Sequence, residues 1–358
     1  MRAEPIDLSV NVPPWVIGEA DFAEANRRAM ERLRALPSGG LYHHNGTPEA
    51  QAAITGWLAR GGVAAEPGEA ILCNGAQQAL HLALAECART SRIVASEGET
   101  FSGAILAAVD LGLDWAPVAH DDEGMLPDAL DRVLRESGCR TVFTTPVCQN
   151  PLGFETGEAR RRAIVEVCRR NDAAIVEDDI YAIYAAKGRV TYRELAPERC
   201  WYLTSLSKCL TPLVRLGTLI PPPGRAEPVL RALRAQSFGV APAALELGCA
   251  LLELGADVGA AEWLRGEAKA RIALAQEILG LDRVPMPEGA PHLWLPMAEE
   301  RTSAFAASAE AAGVRVTPPN ASAIGPRASS GIRLCLLAPE RRADAEAALR
   351  VLAGIERG

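Results

Sequence analysis

The stretch Trp201–Gly217, WYLTSLSKCLTPLVRLG, decides how this chain is read. A short apolar run suited to a buried strand ends in Ser205, Ser207 and Lys208, and Arg215 follows seven residues after the lysine. The chain has three lysines, Lys187, Lys208 and Lys269, among 37 basic residues. Arginine supplies charge and a bidentate fork, but only lysine deprotonates near neutral pH and forms a Schiff base. A lysine kept at a strand end, in a chain that otherwise uses arginine, is a candidate for chemistry. The plain alternative is a solvated loop lysine. The Ser205-x-x-Lys208 spacing also permits a serine nucleophile of the penicillin-binding kind. That chemistry needs a Lys-Thr-Gly element downstream, and the sequence has none.

Around this stretch, strand and helix patterns alternate. From Ala70 the chain reads AILCN (strand), AQQALHLALAECA (helix), RIVAS (strand) and FSGAILAAVDLG (helix). WAPVAH, PDALDRVLRESG, TVFTTP, GEARRRAIVEVCRRN and AAIVE continue the series, and WYLTS and LGTLIPP add two strands around the lysine. Apolar strands spaced by amphipathic helices predict a mostly parallel sheet covered on both faces. After Pro221–Gly224 helices dominate, including a long one from Ala260 to Leu279. A small α+β segment closes the chain, with strands near HLWLPM, VRVTP and IRLCLL and a final helix. We expect a large domain over 41–235, and a smaller one built from 236–358 with the first 40 residues as an N-terminal arm.

The bulk numbers fit such a protein. At 358 residues, 49% apolar and 23% charged, the chain is long enough for a large core and a second domain. A net charge of −8 argues against a sequence-independent grip on nucleic acid. No apolar run reaches membrane-spanning length, and MRAEPIDLSV lacks an apolar signal core. Nine cysteines without a Cys-x-x-Cys pair suit reduced thiols in a cytoplasm. Five histidines show no metal spacing; adjacent His43 and His44 diverge and read as a loop pair.

Polar groups gather where the strands end, the edge at which parallel sheets hold ligands. Asn74-Gly75-Ala76-Gln77 follows one strand and opens a helix, whose free N–H groups and positive dipole end suit a phosphate. Phe101, Asn150-Pro151, Asp178 and the Ser205–Lys208 group follow others. Ser205, Ser207 and Arg215 are donors for the same phosphate. An acid at this rim keeps a heteroaromatic ring nitrogen protonated, and an aromatic face stacks on the ring. A phosphate, a protonated pyridine and a lysine partner for an aldehyde together describe pyridoxal 5′-phosphate.

On SLSKCLTPLVRLG, VCQNPLG, VEDDIY, CNGAQQAL and the late GIRL, the chain resembles the fold-type I pyridoxal-phosphate enzymes, class I/II aminotransferases in particular. Within them it is most similar to the aminotransferase-like half of MocR-type regulators. The resemblance runs from LSVNVPP to the last helix. It implies a three-layer α/β fold and the following roles. Lys208 carries the cofactor as a Schiff base and shuttles the substrate's α-proton. Asp178 pairs with the ring nitrogen, Tyr181 and Asn150 bind the ring's phenolic oxygen, and Phe101 stacks on the ring. Gly75, Ala76, Gln77, Ser205, Ser207 and Arg215 hold the phosphate, joined by Tyr42 from the other subunit of a homodimer with shared sites. Arg333, helped by Asn11 and Asn150, clamps the substrate's α-carboxylate. Four positions depart from the family pattern: Leu152 in Asn-Pro-Leu-Gly, Glu99-Thr100-Phe101, Leu213-Val214 without a glycine, and Gln51 in place of an arginine.

The expected activity is ping-pong transfer of an amino group between an L-α-amino acid and a 2-oxo acid. Lyase, decarboxylase or cyclase chemistry on the same scaffold is the alternative enzyme reading. The alternative from another class is an effector-sensing domain of a MocR-type regulator. The few residues before LSVNVPP are too short for a winged helix, which counts against that reading here.

Overall fold

A computed structural model describes residues 4–36, 43–185, 188–281, 289–318, 320–325 and 330–356. A seven-stranded sheet holds the strands in the order Ile71–Cys73, Gly217–Ile220, Cys200–Ser205, Ala174–Asp178, Thr141–Thr144, Ile93–Glu97, Asp114–Val118. Gly217–Ile220 is antiparallel to both its neighbours and the other pairs are parallel, so the sheet is mostly parallel as predicted.

Alternation along the strands explains the layers. In Cys200–Ser205, Cys200 and Tyr202 enter one apolar cluster while Trp201 and Leu203 enter another on the opposite face. Ile175 and Val176 divide in the same way. Strands buried on both faces favour apolar residues at most positions, which is why they read as near-continuous apolar runs. Each fully buried Val, Leu or Ile side chain contributes about 1.5–3 kcal/mol. The covering helices start and stop on local signals. Pro127 opens Pro127–Ser137, and left-handed Gly138 ends it.

A third cluster joins Leu8, Ile272, Leu293, Phe305, Ile332 and Leu349. Here Ile6–Leu8 lies parallel to Val314–Val316, and Leu293–Pro296 lies antiparallel to Gly331–Leu334. The N-terminal segment therefore returns to the C-terminal part. Helix Glu19–Ala35 instead places Ala25 in the cluster that holds Leu245 and Cys249 of helix Pro242–Glu253. The long helix starts at Ala256, four residues before the predicted Ala260, directly after left-handed Gly255. Its Leu264 packs with the central sheet and its Ile272 with the third cluster. Helix Glu299–Ala311 has no counterpart in the sequence reading, because its alanine-rich face carries no clear apolar stripe.

Candidate active site

Strand ends on one edge of the sheet, with three more distant segments, build the site. Helix Ala76–Cys87 begins after Gly75, which has a φ of 78° and gives no side-chain cap, so the first-turn N–H groups stay available. Two close approaches shape this turn. A Cβ on Gly217 would come within 2.5 Å of the Gly75 carbonyl carbon, and one on Gly75 within 3.2 Å of the Arg215 guanidinium. Arg215 itself sits in the left-handed region, at a φ of 45°, with its side chain across the helix start. Nearby, Ser205 Oγ accepts from the Ser207 N–H at 3.4 Å, and the buried Ser207 Oγ has no hydrogen-bond partner. The Gln77 side chain turns away and donates to the Gly103 carbonyl at 2.7 Å. Phe101, partly buried, precedes helix Ser102–Leu111 and lies against the same Gly103.

Lys208 is half-buried and donates to the backbone carbonyl of Asn11. Burial lowers its pKa from 10.5 to about 8; the charges of Arg333 and Arg215 act in the same direction. Asp178, at the end of strand Ala174–Asp178, is buried with its Oδ1 unpartnered. Burial raises this carboxyl from 3.8 to about 7, and Asp179 adds to the rise, against the Ile180 N–H and Lys208. Tyr181 is buried, its hydroxyl oxygen accepts from Asn11 Nδ2 at 2.8 Å, and burial pushes the phenol up.

Arg333 is the best-held charge in the site. Its Nη1 donates to Asn150 Oδ1 at 2.5 Å, Nη2 to the Ser9 carbonyl at 2.8 Å and Nε to Thr317 Oγ1 at 3.2 Å. With its oxygen turned to the arginine, Asn150 presents its amide N–H groups elsewhere. Arg333 lines a recess with Pro151, Trp294, Thr317 and Ile332.

The structure thus brings Asn11, Tyr181 and Lys208 together, Asn150 with Arg333, and Gly75 with Arg215. Tyr42 lies outside the described residues. Three residues escape the sequence reading. Ser9 and Thr317 fix the Arg333 fork. His292 is fully buried between Asn11 Nδ2 at 2.8 Å and the Gln149 carbonyl at 3.0 Å. The signal for His292 was a lone histidine opening the strand of HLWLPM, in a chain with five histidines. Gln51, where the family pattern expects arginine, is a buried loop pin: it donates to the Asn45 and Ala70 carbonyls and accepts from the Gly68 N–H.

The second acid of the pair, Asp179, is engaged elsewhere. It accepts from Tyr202 Oη at 2.7 Å and is ion-paired with Arg189. Beside it, Glu177 pairs with Arg161 at 3.2 Å and accepts from the N–H groups of Tyr192 and Arg193. Among the described residues no helix is long and apolar enough to cross a membrane.

Residues 3–352 match the aminotransferase class I and II family. The chain belongs to that family, whose members work with pyridoxal phosphate. It is 30% identical over 207 residues to the probable rhizopine catabolism regulatory protein MocR of Rhizobium meliloti, covering 56% of this chain and 41% of that protein. It is 27% identical over 224 residues to aromatic-amino-acid aminotransferase 1 of Thermococcus litoralis, covering 59% and 51%. The first regulators matched, from Escherichia coli and Bacillus subtilis, are spanned over 33% to 41% of their length. The fold superposes on an archaeal alanine:glyoxylate aminotransferase with a TM-score of 0.89 at 22% identity, over 99% of this chain and 91% of that one. It superposes on Thermus thermophilus aspartate aminotransferase with a TM-score of 0.83 at 20% identity, over 98% and 92%. The chain therefore has the fold-type I aminotransferase architecture.

Proposed function

We propose that this chain is a pyridoxal-phosphate-dependent aminotransferase that exchanges amino groups between an L-α-amino acid and a 2-oxo acid in ping-pong order. One observation carries the reading: a desolvated lysine, a buried aspartate with an unpartnered oxygen and a pre-oriented arginine fork share one site. The donor set suits the cofactor. The uncapped turn at Gly75–Gln77, the orphaned Ser207 hydroxyl, Ser205 and Arg215 would hold the phosphate. Asp178 would meet the ring nitrogen, Asn150 and Tyr181 the phenolic oxygen, and Phe101 the ring face.

When bound, pyridoxal phosphate supplies an electron sink for the pair left as the α-proton departs. The protein's groups do the rest. Asp178, ionised once it faces a cation, keeps the proton on the ring nitrogen. Lys208, with a pKa of about 8, is unprotonated in part at neutral pH, so its Nζ takes the α-proton and returns it. Arg333 grips the α-carboxylate through both oxygens, and Asn150 steadies the fork. The nine cysteines are unpaired and buried, which supports a reducing cytoplasmic setting.

We further propose a homodimer in which Tyr42 of one subunit reaches the phosphate site of the other. Mixing Lys208→Ala with Tyr42→Ala subunits then makes dimers with one intact site, and activity returns to roughly a quarter of wild type. No recovery after verified subunit exchange refutes the sharing. A second reading, a pyridoxal-phosphate-binding sensor domain, is favoured by the resemblance to MocR and other regulators. An amino-acid panel separates the two. Transamination converts the visible cofactor band to the pyridoxamine form and releases an oxo acid; a sensor binds cofactor and ligand without turnover. Lyase, decarboxylase or cyclase chemistry would instead release a different product from the same panel.

A further inference from the structure

His292 has no role assigned above, yet it is enclosed, doubly hydrogen-bonded and tilted against the Tyr181 ring at 5.5 Å between centroids. Its two contacts fix its tautomer. The Gln149 carbonyl only accepts, so the Nε2 atom 3.0 Å away carries the hydrogen. Nδ1 is then a bare lone pair, and it accepts from Asn11 Nδ2 at 2.8 Å. The same Asn11 nitrogen donates to the Tyr181 oxygen at 2.8 Å. Both amide hydrogens of Asn11 are therefore committed, one to the imidazole and one to the phenol. A flipped amide would set its oxygen against the Nδ1 lone pair, so His292 also settles which end of Asn11 faces Tyr181. Because Tyr181 accepts from Asn11, its own O–H is directed elsewhere, as a donor. The backbone carbonyl of the same Asn11 receives the Lys208 ammonium.

We propose that His292 is a positioning residue that, through Asn11, fixes the Tyr181 hydroxyl as a donor toward the cofactor's phenolic oxygen. This inference rests on the proposed function and deepens it. The chain of contacts begins at the Gln149 carbonyl, one residue before Asn150, so the loop that holds the Arg333 fork also orients the tyrosine. The titratable and charged groups acting on this chain are Lys208, Asp178, Arg333 and Cys335. Burial, with the charges of Arg333 and Lys208, lowers the imidazole to about 3, so His292 stays neutral and keeps its lone pair through the physiological range.

The test is a pH titration of the visible band of protein loaded with pyridoxal phosphate, a readout independent of turnover. An O–H donated to the phenolic oxygen favours the anionic chromophore, so losing the donor moves the titration to higher pH. His292→Phe keeps a ring of similar size but gives Asn11 no acceptor. Its midpoint should rise by roughly half to one unit, in the direction of Tyr181→Phe. The double variant should titrate with Tyr181→Phe alone, because both changes break one chain. An unmoved midpoint in His292→Phe, or shifts that add in full, overturns the proposal. Should His292→Phe not fold, two polar variants carry the test. His292→Asn keeps an acceptor near the Nδ1 position and should titrate as wild type. His292→Gln keeps a donor to Gln149 without that acceptor and should shift; equal midpoints in the two overturn the proposal. Wild-type protein that takes up no pyridoxal phosphate overturns the functional reading and this one with it. A normal wild-type band with an unmoved variant midpoint overturns this one alone.

Discussion

The two faces of the strand Ala174–Asp178 treat buried acids in opposite ways. On one face Asp178 is buried with an oxygen that meets no donor, and the cation that acts on it, Lys208, is engaged by a backbone carbonyl. On the other face Glu177 and Asp179 are just as buried, and although Asp179 Oδ1 also meets no donor, each acid has an arginine, Arg161 and Arg189, and further donors from Tyr192, Arg193 and Tyr202. A buried carboxylate is costly unless paired. The paired face is explained by folding alone. The face without an ion pair is what a bound cationic group would complete, so the difference between adjacent acids lies in the arginine that only one of them has.

Exchanging the two aspartates should have crossed effects, the largest expected here. Asp178→Asn retains cofactor and lowers kcat by roughly 10²–10³-fold, because a neutral amide does not hold the ring proton. Without cofactor the same variant gains stability above neutrality. The folded protein holds the Asp178 proton up to about pH 7 and the unfolded chain only to near 3.8. Wild-type stability from this group is thus present at low pH and lost as pH rises through about 7, a loss the amide avoids. Asp179→Asn leaves Arg189 without its carboxylate and should cost about 3–5 kcal/mol of stability, with kcat much less affected in the folded fraction. Denaturant midpoints of cofactor-free protein at pH 5 and pH 8, beside kcat, check both. Reversed effects would mean that the faces have been misassigned.

A smaller effect tests the fork. Arg333→Lys should weaken amino-acid binding by about 2–4 kcal/mol, read as a rise in KM, while amines without a carboxylate hardly respond. Equal losses for both substrate types would remove Arg333 from the substrate site. The smallest effect tests the orphaned hydroxyl. Ser207→Ala should weaken cofactor binding by about 0.5–1.5 kcal/mol and leave cofactor-free protein as stable as wild type or slightly more so. Lost stability without lost affinity would make Ser207 a structural group.

Legibility in the sequence followed the same divide. The sheet and the uncapped turn at Gly75 were readable because each depends on a short local pattern: apolar run, turn, helix. Lys208 stood out by rarity, and Asp178 by following AAIVE. The choice of Asp178 over Asp179 came from resemblance, since Arg189 and Tyr202 find Asp179 only after the chain folds. Arg333 was named, but not Ser9 and Thr317, which hold it across separations of 324 and 16 residues. His292 was missed for the same reason. Its partners are 281 and 143 residues away, and no local pattern records them.

The pairing of Ile6–Leu8 with Val314–Val316 has a consequence for biosynthesis. The strand made first must wait for a partner made 308 residues later, roughly 15–60 s at ordinary elongation rates. The seven-stranded sheet, complete by Ile220, has all its strands well before then. Asn11, which meets Lys208, lies three residues beyond that waiting strand. A chain that ends before Val314 thus carries Lys208 and the Gly75–Gln77 turn without the strand that pairs with Ile6–Leu8.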